Sequence, residues 1–375
     1  MSVDIDIRIV ETVADIPAAQ WDALAGDNPF LSHTFLLALQ ESGCATPRTG
    51  WQAQFITASG NGQLLGAMPL YLKSHSYGEY VFDWAWAEAY ERQGLDYYPK
   101  LLCAVPFTPV TGLRILTGSA EIRTALIDAA LQLAQQPGVS SLHCLFPDET
   151  QALALQQAGM MLRKGVQFHW RNQHYADFDA YLAGMNNDKR KKIKQERRRV
   201  RDAEISFEWL VGAQIGAAQW AFFVECYHHT YQQHRSTPYL NLDFFRRIGA
   251  TMGEQILLVL AMRDGRPIAS ALNIFTQNTL YGRYWGALEY HSGLHFETCY
   301  YQAIAFCIAR KIAVFEGGAQ GEHKLARGFL PVITWSAHWL AHDGFGRAVE
   351  DFLARESTGI ANYADELNER NPFKQ

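Results

Sequence analysis

The densest group of reactive side chains lies between Glu316 and Pro331, in the segment EGGAQGEHKLARGFLP. Three glycines in its first six residues let a main chain approach a ligand closely. His323, Lys324 and Arg327 then place three side chains able to carry positive charge within five residues. Ile312 to Phe315 reads as a short buried strand, so the segment sits at a strand's carboxyl end, where open α/β sheets place ligands. One chemistry that this set suits is acyl transfer. A fixed cation in a dry cleft stabilises an oxyanion more than the neutral carbonyl it grows from. An amine nucleophile must also lose a proton, and Glu316 and His323 are the preferred acceptors. Glu297 opens the preceding helix and reads as a first-turn acid that complements the helix dipole. His291 and His295 are four apart, but Gly293 between them weakens any helix, and no metal site is expected. The alternative for the whole segment is a solvated glycine-rich loop.

Two further clusters carry binding chemistry. In YGRYWGALEY (281–290), strand alternation puts Tyr281, Arg283 and Trp285 on one face and Gly282, Tyr284 and Gly286 on the other. The glycines then leave a groove beside Tyr284, with ordinary aromatic packing as the alternative. Nearer the start come Lys73, His75, Tyr77, Glu79, Tyr80, Asp83, Trp84 and Trp86, then Tyr97, Tyr98 and Lys100. Aromatic platforms with Lys and Asp suit a sugar, peptide or nucleotide. Lys73, Asp83 and Lys100 are the candidate contacts, and buried Tyr and Trp holding the fold together are the alternative.

Lys189 to Arg201 (KRKKIKQERRRVR) holds nine of the chain's thirty-three Lys and Arg and one acid, Glu196. The run sums to +8 in a chain of formal net charge −5, which leaves −13 on the other 362 residues. A basic cluster on an acidic body selects a local anion, and DNA is not expected. Ile193 and Val200 lie seven apart on one helical stripe, so the run reads as a docked helix within 187–203. Its cations exceed what a solvated face needs, because like charges four apart repel. Lys191, Lys192 and Arg198 are the expected phosphate contacts. An aminoacylated tRNA, a phosphorylated lipid or nucleotide-sugar precursor, and a membrane surface at its periphery all fit. A solubilising face is the alternative.

The elements that must position these groups repeat. Val3 to Val10 alternates as a half-buried strand, and Pro17 opens a short helix. Gln52 to Ala58 and Leu64 to Leu72 flank Gly60-Asn61-Gly62, a hairpin signal. Ala120 to Gln136 is an amphipathic helix, SLHCLF (141–146) a short strand, and Val166 to Trp170 another. The second half follows with strand 205–210, helix 214–234, a hairpin around Asp264-Gly265-Arg266, strand 280–287, helix 297–309 and strand 312–315. Strand, helix, hairpin, strand, helix, strand, twice over, predicts a duplicated α/β unit with mixed sheets. The division falls near residue 171: one domain over 1–170, and a second over 171–375 that includes the basic helix and a C-terminal helical tail.

Composition sets the setting. No stretch approaches the ~20 apolar residues of a membrane-spanning helix. The opening MSVDIDIRIVETV has acids where a signal peptide needs a basic and an apolar region. The six cysteines form neither a CxxC nor a metal-ligand spacing, so reduced thiols and a cytoplasmic location are expected.

The element order is similar to that of the GCN5-related acetyltransferases (GNAT) in tandem. NNDKRKKIKQERRRV, then YGRYWGA, a helix and VFEGGAQGEHKLARGFLP resemble FemAB-type aminoacyl and peptidyl transferases. NPFLSHTFLLALQESG (28–43), PLYLKSHSYGEYVFDWAWAEAY (69–90), YYPKLLCAVPFTPVTG (97–112) and QFHWRN (167–172) resemble the bacterial FemAB-like predicted N-acyltransferases, also described as peptidoglycan biosynthesis/recognition proteins. The resemblance covers about residues 20–355. It implies a FemAB-type, tandem GNAT-like α/β fold, with Lys324 as the lysine that faces the reaction centre. It also implies an acceptor bound across an interdomain cleft, with Lys73, Asp83 and Lys100 on the other wall. The Arg/Gln-x-x-Gly-x-Gly/Ala turn that grips the pyrophosphate of CoA in GNAT enzymes is missing: HSGLHFETC (291–299) and PFTPVTG (106–112) do not match it. The implied activity is acyl or aminoacyl transfer to an amine by direct attack, from an aminoacyl-tRNA or acyl-CoA donor. Lys324 would polarise the carbonyl, Glu316 or His323 would take the proton, and Arg327 would hold an anionic substrate group. A CoA-dependent N-acetyltransferase and a non-catalytic RNA- or membrane-binding module are the rivals.

Overall fold

A computed structural model describes residues 5–318 and 321–374. Ala319 and Gln320 of the glycine-rich segment lie outside the described residues. The chain forms two compact units, Met1–Val166 with Ile333–Tyr363 and Gln167–Val332 with Ala364–Gln375.

The first unit begins with β1 (Asp6–Val10), α1 (Ala18–Ala25) and α2 (His33–Glu41). Next come β2 (Trp51–Ala53), β3 (Phe55–Gly60), β4 (Gln63–Met68) and β5 (Leu70–Lys73). The strand expected over 64–72 is broken at Pro69, which has no N–H to give a ladder. Before the break β4 joins β1 and β3; after it β5 pairs β2 and β6 (Lys100–Cys103). Between them lies α3 (Trp84–Arg92), a helix inside the aromatic cluster that alternation alone does not disclose. Helix α4 (Ala120–Ala134) starts at Ser119, whose hydroxyl accepts from Ile122 N–H, and α5 (Glu149–Gln157) at Asp148 in the same manner. Between these helices runs β7 (Ser141–Leu145), parallel to β6 and antiparallel to the last strand of the chain. Ile122, Leu126 and Ala130 of α4 bury against Ile56, Met68, Leu101 and Leu142.

The chain leaves this unit along β8 (Met161–Arg171). The second unit opens with α6 (Phe178–Gly184) and the basic helix α7 (Asn187–Asp202), capped by the side chains of Asp177 and Asn186. It continues through β9 (Ser206–Val211), α8 (Ala217–Gln233), α9 (Leu242–Met252), β10 (Ile256–Arg263), β11 (Arg266–Phe275) and β12 (Thr279–Ala287). Asp264 and Gly265 link β10 to β11 with φ of 51° and 70°, and Asn61 and Gly62 link β3 to β4 with 52° and 76°. Both are the two-residue hairpin turns whose positive φ these residue types accept. A helical stretch follows: α10 (Leu294–Phe296), a π-turn over Glu297–Tyr301, then α11 (Gln302–Arg310). After β13 (Val314–Glu316) and a 3₁₀ turn at Glu322–Arg327, the chain returns along β14 (Leu330–Leu340) to α12 (Asp343–Glu369). The sheet order in this unit is β8-β13-β12-β11-β10-β9, with β12 and β13 as its parallel pair. Among the described residues no helix is long and apolar enough to cross a membrane.

Candidate active site in the second unit

The site arises where a strand pair comes apart. The parallel ladder between β12 and β13 covers only Thr279–Tyr281 with Val314–Glu316. Beyond it β13 runs into Gly317 and Gly318, and β12 bulges. Leu272 of β11 faces Tyr284 and Asn273 faces Gly282, so Arg283 is an extra residue in the ladder. The bulge breaks the alternation expected for YGRYWG. Gly282 turns toward Phe315, where an added Cβ would come within 3.1 Å of the ring. Tyr284 packs instead on Tyr227 and Phe245 at 5.1 and 6.1 Å between ring centroids, and Gly286 lies against the Cys226 carbonyl of α8. A cavity of about 180 Å³ fills the opening, lined by Gly282, Arg283, Tyr284, Trp285, His295, Cys299, Tyr300, Phe315 and Gly317 among others.

Lys324 lies behind Gly317 and is 3% exposed. Its Nζ donates to the Gly318 carbonyl at 3.0 Å. Burial pulls the ammonium down to about 8. Glu316 ends β13 with its side chain 13% exposed. Burial pushes its carboxyl up to about 8 against the pull of Arg283. His323 is exposed at the rim, with Nε2 3.1 Å from the Tyr300 hydroxyl. Its imidazole is held below the usual value by burial, then by Lys324 and Arg327. The thiol of Cys299 is pushed up by burial and stays neutral, a poor nucleophile.

Arg327 is committed elsewhere. One terminal nitrogen donates to both Glu196 oxygens at 2.8 and 2.9 Å, Nε donates to the Tyr301 hydroxyl at 3.0 Å, and the other nitrogen donates to the His323 carbonyl. Tyr301 donates to the same Glu196 carboxylate, and the guanidinium lies 3.4 Å from the Phe296 ring centroid. The sequence predicts an anionic substrate group on Arg327; in the structure the Glu196 carboxylate takes that place. Glu196, the one acid of the basic run, is therefore the residue that faces inward. It continues the buried stripe Ile193–Glu196–Val200 of α7 and clamps the 3₁₀ turn bearing Lys324 to that helix.

Lys191, Lys192 and Arg198 are exposed on α7. Arg198 joins Lys194, Arg197 and Arg201 along a cavity of about 480 Å³; Lys191 and Lys192 do not line it. Arg197 is held by Glu297 at 3.1 Å and lies over the Phe178 ring, so Glu297 serves a side chain besides any helix dipole.

The first-unit residues come together, but under cover. Lys100 Nζ, fully buried, donates to Asp83, to Glu79 at 2.8 Å and to Ser76 at 2.8 Å. Burial disfavours the Lys100 ammonium, but Glu79 and Asp83 override it and raise the group. Burial likewise opposes ionisation of Asp83, yet Lys100 holds it well below the usual carboxylate range. Lys73, also fully buried, lies 3.7 Å from the Trp51 ring centroid and is pulled down to about 7 by burial. These three lie in a network shut from solvent, not on an open wall.

One residue of the second site escaped the sequence reading. His169 of β8 stands opposite Glu316 in the antiparallel ladder, with Nε2 3.9 Å from Glu316 Oε2. It was visible only as part of QFHWRN, because nothing in a sequence says which strand will lie beside β13.

The chain belongs to the FemAB-like family, described as peptidoglycan biosynthesis/recognition proteins, whose profile matches residues 12–375. No curated protein matches the chain in sequence. Among solved structures it is similar to FemX, at 12% identity and TM-score 0.54, over 89% of this chain and 98% of that one. It is similar also to the C-terminal DUF2156 domain of a putative lysylphosphatidylglycerol synthetase from Agrobacterium fabrum, at 10% identity and TM-score 0.54, over 89% and 95%. A weaker likeness, 13% identity and TM-score 0.48 over 90% and 99%, is to a tandem GNAT protein from the clavulanic acid biosynthesis pathway, without acetyl-CoA. The α/β fold expected from the sequence, FemAB-type with mixed sheets, holds.

Proposed function

We propose that this protein is a transferase that joins an acyl or aminoacyl group to an amine during peptidoglycan synthesis. The observation that carries the reading is the parting of β12 and β13 beside a buried lysine and a buried carboxyl of shifted acidity. The family to which the chain belongs supports it. The acyl carbonyl occupies the opening, near main-chain groups no longer spent on the ladder. Lys324, drier than an ordinary surface lysine, stabilises the charge that grows on the carbonyl oxygen. Glu316, with acidity near neutrality, takes the proton of the attacking amine. Attack is direct, because the neutral Cys299 thiol offers no competing route.

The exposed cations of α7, with Arg198 and its neighbours along the groove, hold the phosphate of the donor or acceptor, an aminoacyl-tRNA being the preferred donor. Lys73, Asp83 and Lys100 keep a supporting role beneath the surface. This reading retains a division near residue 171 into two GNAT-like halves. The test is transfer by the full chain from a labelled aminoacyl-tRNA pool and, separately, from acetyl-CoA, to a peptidoglycan precursor amine. Transfer that Lys324→Ala abolishes with tRNA affinity preserved supports the reading. Tight, saturable acetyl-CoA binding with transfer from it favours the N-acetyltransferase rival. An unaffected K324A variant, with function lost on charge reversal at Lys191, Lys192 and Arg198, favours the binding-module rival.

A further inference from the structure

His169 is unassigned by anything above, and its position is unusual for a strand histidine. The imidazole is 8% exposed and the facing carboxyl of Glu316 is nearly as dry. His169 Nε2 and Glu316 Oε2 are both buried without a hydrogen-bond partner, although they point at each other across 3.9 Å. Two orphaned polar atoms in one dry spot are costly, of the order of 1–3 kcal/mol each. A buried polar atom without a partner calls for an explanation, and a role in proton chemistry is one. The pair sits on two neighbouring strands in fixed register, so only side-chain rotation is needed to close the gap. Hydrogen bonds at reaction centres are commonly long until a substrate is bound.

We infer that His169 and Glu316 form a cross-strand imidazole–carboxyl pair that carries the amine proton through acyl transfer, with His169 as the positioning residue. The inference rests on the transferase reading above. An imidazole suits this place because it answers both states of the carboxyl. Toward an ionised Glu316 its Nε2–H donates; toward the protonated acid the same nitrogen, unprotonated, accepts. The ring exchanges tautomer by giving the Nε2 proton to water and taking one from water at Nδ1, and it stays uncharged, so the dry site never holds an added cation.

The balance is closed. The amine enters neutral, its nitrogen lone pair forms the new C–N bond, and its N–H proton moves to the Glu316 carboxylate. The donor's C–O or C–S bond breaks with its electron pair on the leaving atom, and Glu316 returns the same proton there. The groups facing the pair are Arg283 on β12, Arg171 on β8 and Lys324 in the 3₁₀ turn, all of them cations. Burial disfavours the Glu316 carboxylate and outweighs the pull of Arg283, and burial, then Arg171 and Lys324, disfavour the imidazolium and hold His169 down to about 4.

The test follows the His169 ring nitrogens by NMR in the full chain labelled with ¹⁵N-histidine. The signal is assigned by its loss in His169→Gln or, should that variant not accumulate, in His169→Asn. The expected result is an imidazole neutral from pH 5 to 9 whose Nε2 changes from acceptor to N–H as pH rises through about 8. Glu316→Gln should remove that inflection. A wild-type ring without the inflection, or an inflection that survives in E316Q, overturns the proposal. Where transfer from the aminoacyl-tRNA pool is measurable, H169Q should lower kcat about tenfold or more with KM unchanged and displace the acidic limb of the pH profile. A uniform loss without displacement would mark His169 as merely structural and overturn the proposal. An inflection present in a chain that transfers from no donor would instead sink the transferase reading and leave the proton pair standing.

Discussion

In the first unit β6 and β7 run parallel over Leu101–Cys103 and Leu142–Cys144; in the second, β12 and β13 run parallel over Thr279–Tyr281 and Val314–Glu316. Each ladder is three residue pairs long, and each must end. In the first unit Arg114, 1% exposed, closes the end: its guanidinium donates to the carbonyls of Leu145, Val110 and Leu113 at 2.6–2.7 Å. In the second unit a bulged arginine and two glycines stand at the end, and a cavity remains. The buried charges differ in one respect. Lys100 has three acceptors around it and binds both carboxylates of its network, although Glu79 Oε1 and Asp83 Oδ1 keep no partner, whereas the facing atoms of Glu316 and His169 are both without one. The same strand arrangement thus ends on a buried arginine in one unit and on a cavity in the other.

Four measurements bear on that contrast, taken from the largest expected effect down. Lys100→Ala strands two buried carboxylates and should cost about 3–5 kcal/mol in denaturant unfolding. A loss under ~1 kcal/mol would mean that the first network is not closed. Lys324→Ala should behave oppositely, lowering kcat for transfer about 10²–10³-fold while unfolding barely moves.

The third measurement compares pH dependence of stability. Lys73 has a folded value near 7, below its unfolded one, so its contribution is present at high pH and lost as pH falls from about 10 to 7. Glu316 is raised to about 8, so its contribution is present at acid pH and lost as pH rises from about 4.5 to 8. Lys73→Met should therefore gain on the wild type toward acid, by about 1–3 kcal/mol at pH 6, and Glu316→Gln toward base. Equal slopes in both variants would erase the distinction. The smallest effect is expected for Arg198→Ala, within about 0.5 kcal/mol in stability, with weaker tRNA binding and a shallower salt dependence read by filter retention.

Much of this contrast was legible in the sequence, and the unread part has a common cause. The hairpins at Asn61-Gly62 and Asp264-Gly265, the α7 stripe through Ile193 and Val200, and the reactive segment after β13 are all local patterns. They depend on residues a few positions apart. The β12 bulge, the division of β4 from β5, and the pairing of Glu316 with His169 depend on which strands become neighbours. Residues 169 and 316 meet only because β8 and β13 lie side by side. In sequence Glu196 is the odd charge in a basic run, and its inward direction follows from a partner 131 residues away.

That inward carboxylate gives the basic helix two populations of charge that answer differently to dissolved salt. The outer cations stand in water, where at physiological ionic strength their reach falls off over about 8 Å. The Arg327–Glu196 contact is nearly dry on both sides, at 3% and 9% side-chain exposure, and ions in solution hardly reach it. Raising the ionic strength should therefore loosen whatever anion rests on the helix while leaving the Lys324 turn in place. A salt titration then separates anion affinity from the integrity of the Lys324 turn without a single mutation.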